Sequence, residues 1–194
     1  MIMRKTNILD IFRANNTVFT FKDLSLILGE TDKNYLRKKI YRYVKAKKLY
    51  SIRRGLYAKD KNYNKFELAT KIYTPSYISF ETVLSRAGII FQFYSQIFVA
   101  SYLAREITVD GQKHVYKKIK DEILTNHLGI EQKENYAIAI PERAFLDTLY
   151  LYKKYHFDNL SPINWKKVFE ILPIYQNKAL EKRIKKYHQE FKKE

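Results

Sequence analysis

The chain has 194 residues, 46% of them hydrophobic and 15% aromatic, which is enough apolar side chain to build packed cores and excludes a disordered polyelectrolyte. With 37 Lys and Arg against 20 Asp and Glu it carries a formal charge of +17, pointing to a polyanionic partner, and the absence of cysteine excludes disulfides and thiolate metal sites. No run of about 18 apolar residues occurs and the opening MIMRKTNILDIF lacks the apolar stretch of a signal peptide, so a cytoplasmic protein with no membrane partner is expected.

The charge is uneven. Residues 1–60 hold 15 Lys and Arg against 5 Asp and Glu, a net of +10 that leaves +7 for the other 134. The length exceeds the usual domain of roughly 100 to 150 residues, so two domains are expected, 1–60 and 61–194.

Asn7 can cap a first helix through Ala14, with Ile8, Leu9, Ile11 and Phe12 apolar, and residues 17–19 can form a short strand. Thr20 and Asp23 form a T-x-x-D run resembling a capping box, followed by Leu24, Ile27 and Leu28 on one helical face and a stop at Gly29. Asp32 is a second cap, opening a longer helix to about Lys47. On that helix Leu36, Ile40, Tyr43, Val44 and the stem of Lys47 share an inward sector, while Asn34, Lys38, Tyr41, Arg42 and Lys45 face away and Arg37 lies on the border. Two β-prone runs, 49–52 and 56–58, then flank Arg53-Arg54-Gly55, a hairpin whose glycine supplies the positive φ of the turn.

This order of signals predicts a winged helix-turn-helix. Such a unit lays its second helix in the major groove with the N-terminal residues nearest the bases, which assigns Lys33, Asn34, Arg37 and Lys38 to base edges. Tyr41, Arg42 and Lys45 are assigned to phosphates, and Arg53 and Arg54 to the backbone or minor groove. The competing reading is that a basic helix is merely a solvated face.

Residues 59–64, KDKNYN, are polar and mark the expected boundary, before a linking helix over 65–73 that Pro75 closes. A helix over 79–87 stopped by Gly88, a strand over 97–100, and a hairpin of 106–109 with 114–119 about Asp110-Gly111 follow. Residues 136–140 form a further strand, Pro141 opens the helix ERAFLDTLYLY, and two helices lie around 164–171 and 178–191. The expected fold class is α+β: an N-terminal winged helix-turn-helix, then a mixed α/β domain with a small antiparallel sheet and C-terminal helices.

The stretches PSYISFETVL (75–84) and IAIPERAFLD (138–147) carry a family resemblance. They resemble the paired "PSYISxExAL" and "IAxPERAxLD" stretches of AbiEi-type antitoxins, in which they follow a winged helix ending in R-x-G-x-Y, here Arg53-Arg54-Gly55-Leu56-Tyr57. The resemblance covers most of residues 5–155 and leaves the last 35 or so unmatched. It implies a bacterial type IV antitoxin that represses its own operon through the N-terminal domain and counters a nucleotidyltransferase toxin, or protects the toxin's RNA target, through the C-terminal domain. The implied DNA partner is an operator, expected to be an inverted repeat occupied by a homodimer or by two copies side by side.

No catalytic constellation emerges, and neither an enzyme, a cofactor nor a bound metal is expected. Glycine never precedes serine and no two aspartates are spaced D-x-D, so the chain lacks the triphosphate and Mg²⁺ signals of a nucleotidyltransferase and is not the toxin itself. On the helix from Pro141, Ala144, Phe145, Thr148, Leu149 and Tyr152 share the packing face, Glu142 and Arg143 are expected in the first turn facing solvent, and Asp147 is expected in a salt bridge or in water. Asp121 with Glu131-x-Lys133 resembles a nuclease cluster, which leaves a metal-dependent nuclease as one alternative and an orphan regulator as another. Residues 177–194 hold seven Lys and Arg against three Glu, an amphipathic basic helix. Its apolar face either closes the C-terminal core alone, or does so while Lys182, Arg183, Lys185, Lys186, Lys192 and Lys193 offer a second electropositive surface.

Overall fold

The computed structural model describes residues 7–192 and divides the chain into two compact units that part between Ile72 and Tyr73. In the first unit come α1 (Ile8–Arg13), β1 (Val18–Thr20), α2 (Phe21–Ile27), α3 (Lys33–Lys45), β2 (Tyr50–Arg53), β3 (Leu56–Ala58) and α4 (Lys65–Ile72). The strands form an antiparallel sheet in the order β1-β3-β2. Ile11, Phe19, Leu24, Leu28, Leu36, Ile40 and Leu49 make the core, one apolar face from each of the first three helices closed by the sheet.

The caps set these boundaries. Asn7 and Asp10 form a capping box on α1, and Thr20 and Asp23 form one on α2, each satisfying amides that a helix start leaves without partners. Asp32 accepts from the amides of Asn34 and Tyr35, opening α3. That helix ends at Lys45, two residues short of expectation, because Lys47 turns into the left-handed region at φ 54°. Lys47 is therefore exposed, and its stem does not belong to the inward sector.

The boundary expected at residues 59–64 lies inside the first unit. Glu67 on α4 is fully buried and accepts from the Thr17 amide (2.9 Å), the Thr17 hydroxyl (2.6 Å) and the Asn16 amide group (3.3 Å). Lys71, one turn on, pairs with Glu67 and Asp23, both at 3.1 Å, and donates to the Val18 carbonyl. The polar run before α4 signals a loop, and a loop need not end a unit.

The second unit holds a six-stranded mixed sheet, larger than the small antiparallel one expected. Its strands are β4 (Ser76–Ile78), β5 (Ile97–Ser101), β6 (Arg105–Val109), β7 (Gln112–Lys118), β8 (Ile130–Gln132) and β9 (Ala137–Ala139), in the order β6-β7-β5-β4-β9-β8. The β4–β9 and β5–β7 pairings are parallel and the rest antiparallel. Its helices are α5 (Glu81–Arg86), α6 (Asp121–Leu124), α7 (Pro141–Leu151), α8 (Trp165–Ile171) and α9 (Lys178–Phe191), with a 3-10 turn at Leu172–Tyr175. The helix expected from residue 79 starts at Glu81, because the Ser79 amide still bonds across to the Phe98 carbonyl.

The sharpest departure from expectation is the inward face of α7. Arg143 and Asp147 have no exposure and Glu142 has 5%, so neither Glu142 nor Arg143 faces solvent. Arg143 Nε meets Asp147 Oδ1 at 3.2 Å, while its two terminal nitrogens donate to the Leu128 and Ile123 carbonyls and the Tyr77 hydroxyl. Asp147 also accepts from the hydroxyls of Tyr77 (3.0 Å), Ser79 (2.7 Å) and Tyr175 (2.6 Å). Burial alone would favour a neutral Arg143, but the Asp147 carboxylate opposes it and the guanidinium's pKa is raised; burial and the same carboxylate push the Tyr77 and Tyr175 phenols well up. Glu142 instead takes the amide of Asn164, the residue that caps α8. The PSYIS and PERAFLD stretches thus meet in one buried network, a physical reason for them to occur together.

Gly129 lies against this network at φ 74°. A Cβ there would come within 2.8 Å of Ile171 Cδ1 and 2.9 Å of Arg143 Cβ. Gly129→Ala is expected to cost about 1 to 3 kcal/mol through backbone strain and overpacking, read as a lowered melting temperature. An unchanged melt would show that the Arg143 stem yields freely.

Candidate nucleic-acid interface

The inward face of α3 buries Leu36 and Ile40, with Tyr43 and Val44 half-buried. Helical periodicity then leaves Lys33, Asn34, Arg37, Lys38, Tyr41, Arg42 and Lys45 exposed, as the sequence pattern predicts. The Tyr35 and Asn34 amides hold the Asp32 carboxyl below its usual range, so this cap keeps its charge at neutral pH. Arg37 lies 5.9 Å from the Phe21 ring centroid and within a long 3.4 Å contact of Asn34 Oδ1, which orients it along the helix start.

The hairpin brings Arg53 and Arg54 to the surface of the same unit. Gly55, at φ 82°, makes the tight turn, and its carbonyl accepts from the Phe21 amide at 3.2 Å. The tip is thereby tied to the first residue of α2. A register shift between Ser51 and Arg53 extends β2 to include Arg53, one residue beyond the β-prone run that ends at 52. Arg37 and Tyr41 of α3 line one shallow cleft of about 190 Å³ with Ser51 and Tyr57 of the hairpin strands.

Two further groups escape the sequence pattern. Tyr35 is 51% exposed on the first turn of α3. Lys47, Lys59 and Lys61 border a second cleft of about 440 Å³ beside Tyr50, and Lys61 lies over the Tyr50 ring at 5.7 Å. The left-handed turn at Lys47 is the local event that puts it there, and no residue type in the sequence marks it.

In the second unit, Glu131 and Lys133 are exposed and bond to each other at 2.6 Å, which raises the Lys133 pKa. Among the described residues no group of three or more His, Asp or Glu side chains gathers as a metal site would require. On α9, Leu180 and Ile184 are buried and Lys182, Lys185 and Lys186 are exposed. Arg183 is committed inward, donating to the Leu149 carbonyl at 2.8 Å, while Lys193 lies outside the described residues. Among the described residues no helix is long and apolar enough to cross a membrane.

Comparison of the chain with protein-family models found no match, and comparison with curated proteins found none.

Proposed function

We propose that the first unit is a winged helix-turn-helix that binds duplex DNA, and that the chain is an autorepressing antitoxin of the AbiEi type. The observation that carries the DNA-binding half is the exposed row from Lys33 to Lys45 on α3, together with the arginines of a hairpin tip anchored to α2 through Gly55. Phosphate contacts from Tyr41, Arg42, Lys45, Arg53 and Arg54 fix the register, and Lys33, Asn34, Arg37 and Lys38 read base edges. One such unit is too small for tight specificity, so two copies occupy an inverted repeat. The antitoxin half rests on the resemblance of the 75–84 and 138–147 stretches and assigns control of a nucleotidyltransferase toxin to the second unit.

The test uses the full chain with duplexes from its own upstream region and scrambled duplexes, titrated at two salt concentrations. Arg37→Ala and Lys38→Ala are each expected to lower the preference for the upstream duplex by about 1 to 3 kcal/mol where the side chain holds a base edge in bidentate fashion. Arg53→Ala and Arg54→Ala should weaken both duplexes alike. Equal behaviour of all four variants would remove the division into base and phosphate contacts. Co-expression with the product of the neighbouring gene tests the other half, and failure to restore growth would leave a DNA-binding regulator only.

A further inference from the structure

The second unit carries a cation cluster that the proposed duplex contacts do not use. Between residues 153–156 and α9 lies a cleft of about 550 Å³ bordered by Lys153, Lys154, Arg183 and Lys186, with Glu190 as its one carboxylate. Lys186 meets Glu190 only loosely, at 3.7 Å, and Lys153 and Lys154 have no ion pair among the described residues. The Tyr187 hydroxyl donates to the Tyr155 carbonyl at 2.7 Å, fixing the floor of the cleft to α9.

A second cleft, of about 320 Å³, shares Tyr155 and His156 with the first and is bordered by Phe91, Gln92 and Tyr94. The two clefts adjoin at Tyr155 and His156, the first bordered by cations and Glu190, the second by aromatic rings and Asp158. Phe91 is 71% exposed and Phe93, on the same loop, 89%. This exposure does not come from a loose loop: the Phe91 amide donates to Asp158 Oδ2 at 2.7 Å, and the amides of Asp158 and Asn159 both return to the Ile89 carbonyl. Tyr94 is fixed as well, its hydroxyl on Gln92 and its ring edge-on to Phe98. An aromatic face held out in water beside a row of lysines matches a ligand with both a π-face and a repeated negative charge. An acidic protein surface would use the lysines and leave the ring idle, and a duplex hides its base faces.

We propose that this pair of clefts binds single-stranded nucleic acid, with phosphates on Lys153, Lys154 and Lys186 and a base stacked on Phe91.

The experiment is fluorescence anisotropy of the full chain with labelled oligo-U RNA, oligo-dU DNA and a duplex of equal length. Phe91→Ala is expected to weaken the single strands about tenfold while leaving the duplex unchanged, and Phe91→Trp to restore them. Lys153→Gln with Lys154→Gln should reduce the single-strand salt slope by about 1.4. Loss in both single-strand arms supports a site for either polymer, and loss in the RNA arm alone supports it with RNA as the ligand. Unchanged single-strand affinity in Phe91→Ala overturns the proposal, as does a lysine effect without a phenylalanine effect, which would mark a plain anion site. Loss of single-strand binding in Arg37→Ala/Lys38→Ala would overturn it too, by moving the site to the first unit. A wild-type chain that binds the single strands and no duplex would overturn the DNA-binding function and leave this site standing.

Discussion

Asp147→Ala is expected to destabilise the second unit by about 3 to 5 kcal/mol, the range for removing one partner of a buried ion pair. At about 2 to 4 °C per kcal/mol for a chain of this size, the melt falls by roughly 6 to 20 °C. The reason is what remains behind: a fully buried Arg143 still held by two carbonyls, and three hydroxyls, from Tyr77, Ser79 and Tyr175, that lose their common acceptor. An isolated buried pair can often be exchanged for two apolar residues at little cost. Here the exchange fails, because Arg143→Met with Asp147→Leu strands those hydroxyls together with the Leu128 and Ile123 carbonyls. Thermal melts of the single and double variants decide this; recovery in the double variant would mean that the pair alone, and not the network, matters.

The second large effect is on salt dependence. Changing Arg42, Lys45, Arg53 and Arg54 together to Gln removes the four exposed cations assigned to phosphates, on α3 and at the hairpin tip. If all four act on the phosphate field of a duplex, the slope of log affinity against log salt falls by up to about 3.6, so the loss of affinity between roughly 50 and 200 mM salt shrinks on the order of a hundredfold. The melting temperature should hardly move, since exposed charges contribute little to stability. A parallel, unshifted salt plot would show that these cations are only solvated, and with them the winged-helix reading would go.

Where the sequence spoke clearly, the signal was local. Thr20 with Asp23, Asp32, the Asp110-Gly111 turn and Pro141 at a helix start each act within a few residues of chain, and the elements they open or join stand where expected. The exposed face of α3 was legible for the same reason, because helical period alone separates it from Leu36 and Ile40. The misreading of Glu142 and Arg143 as solvent-facing has the opposite cause. Asp147 does form the ion pair expected as one of its two states, but the burial of Arg143, Asp147 and Glu67 is licensed by distant partners that no local rule sees. Arg143 and Asp147 both bond to the Tyr77 hydroxyl, 66 and 70 residues away, and Glu67 takes the Thr17 amide from 50 residues away. β8 contains Glu131 and Gln132 in a three-residue edge strand, too short and too polar for alternation to mark. The adjoining clefts beside Tyr155 and His156 were illegible because their walls come from parts of the chain far apart, although the basic character of α9 was visible in its composition.

The closing role of α4 bears on how such a gene could exchange parts. A crossover at the polar run 59–64 would join Thr17 and Asn16 from one parent to a foreign helix at the position of Glu67, and the Thr17 amide would lose its acceptor unless both parents had kept the same carboxylate. A crossover between Ile72 and Tyr73 carries Thr17, Asp23, Glu67 and Lys71 together as one inheritance. Shuffled descendants that retain a working first unit should therefore show their seam after the helix, and not in the loop where composition changes.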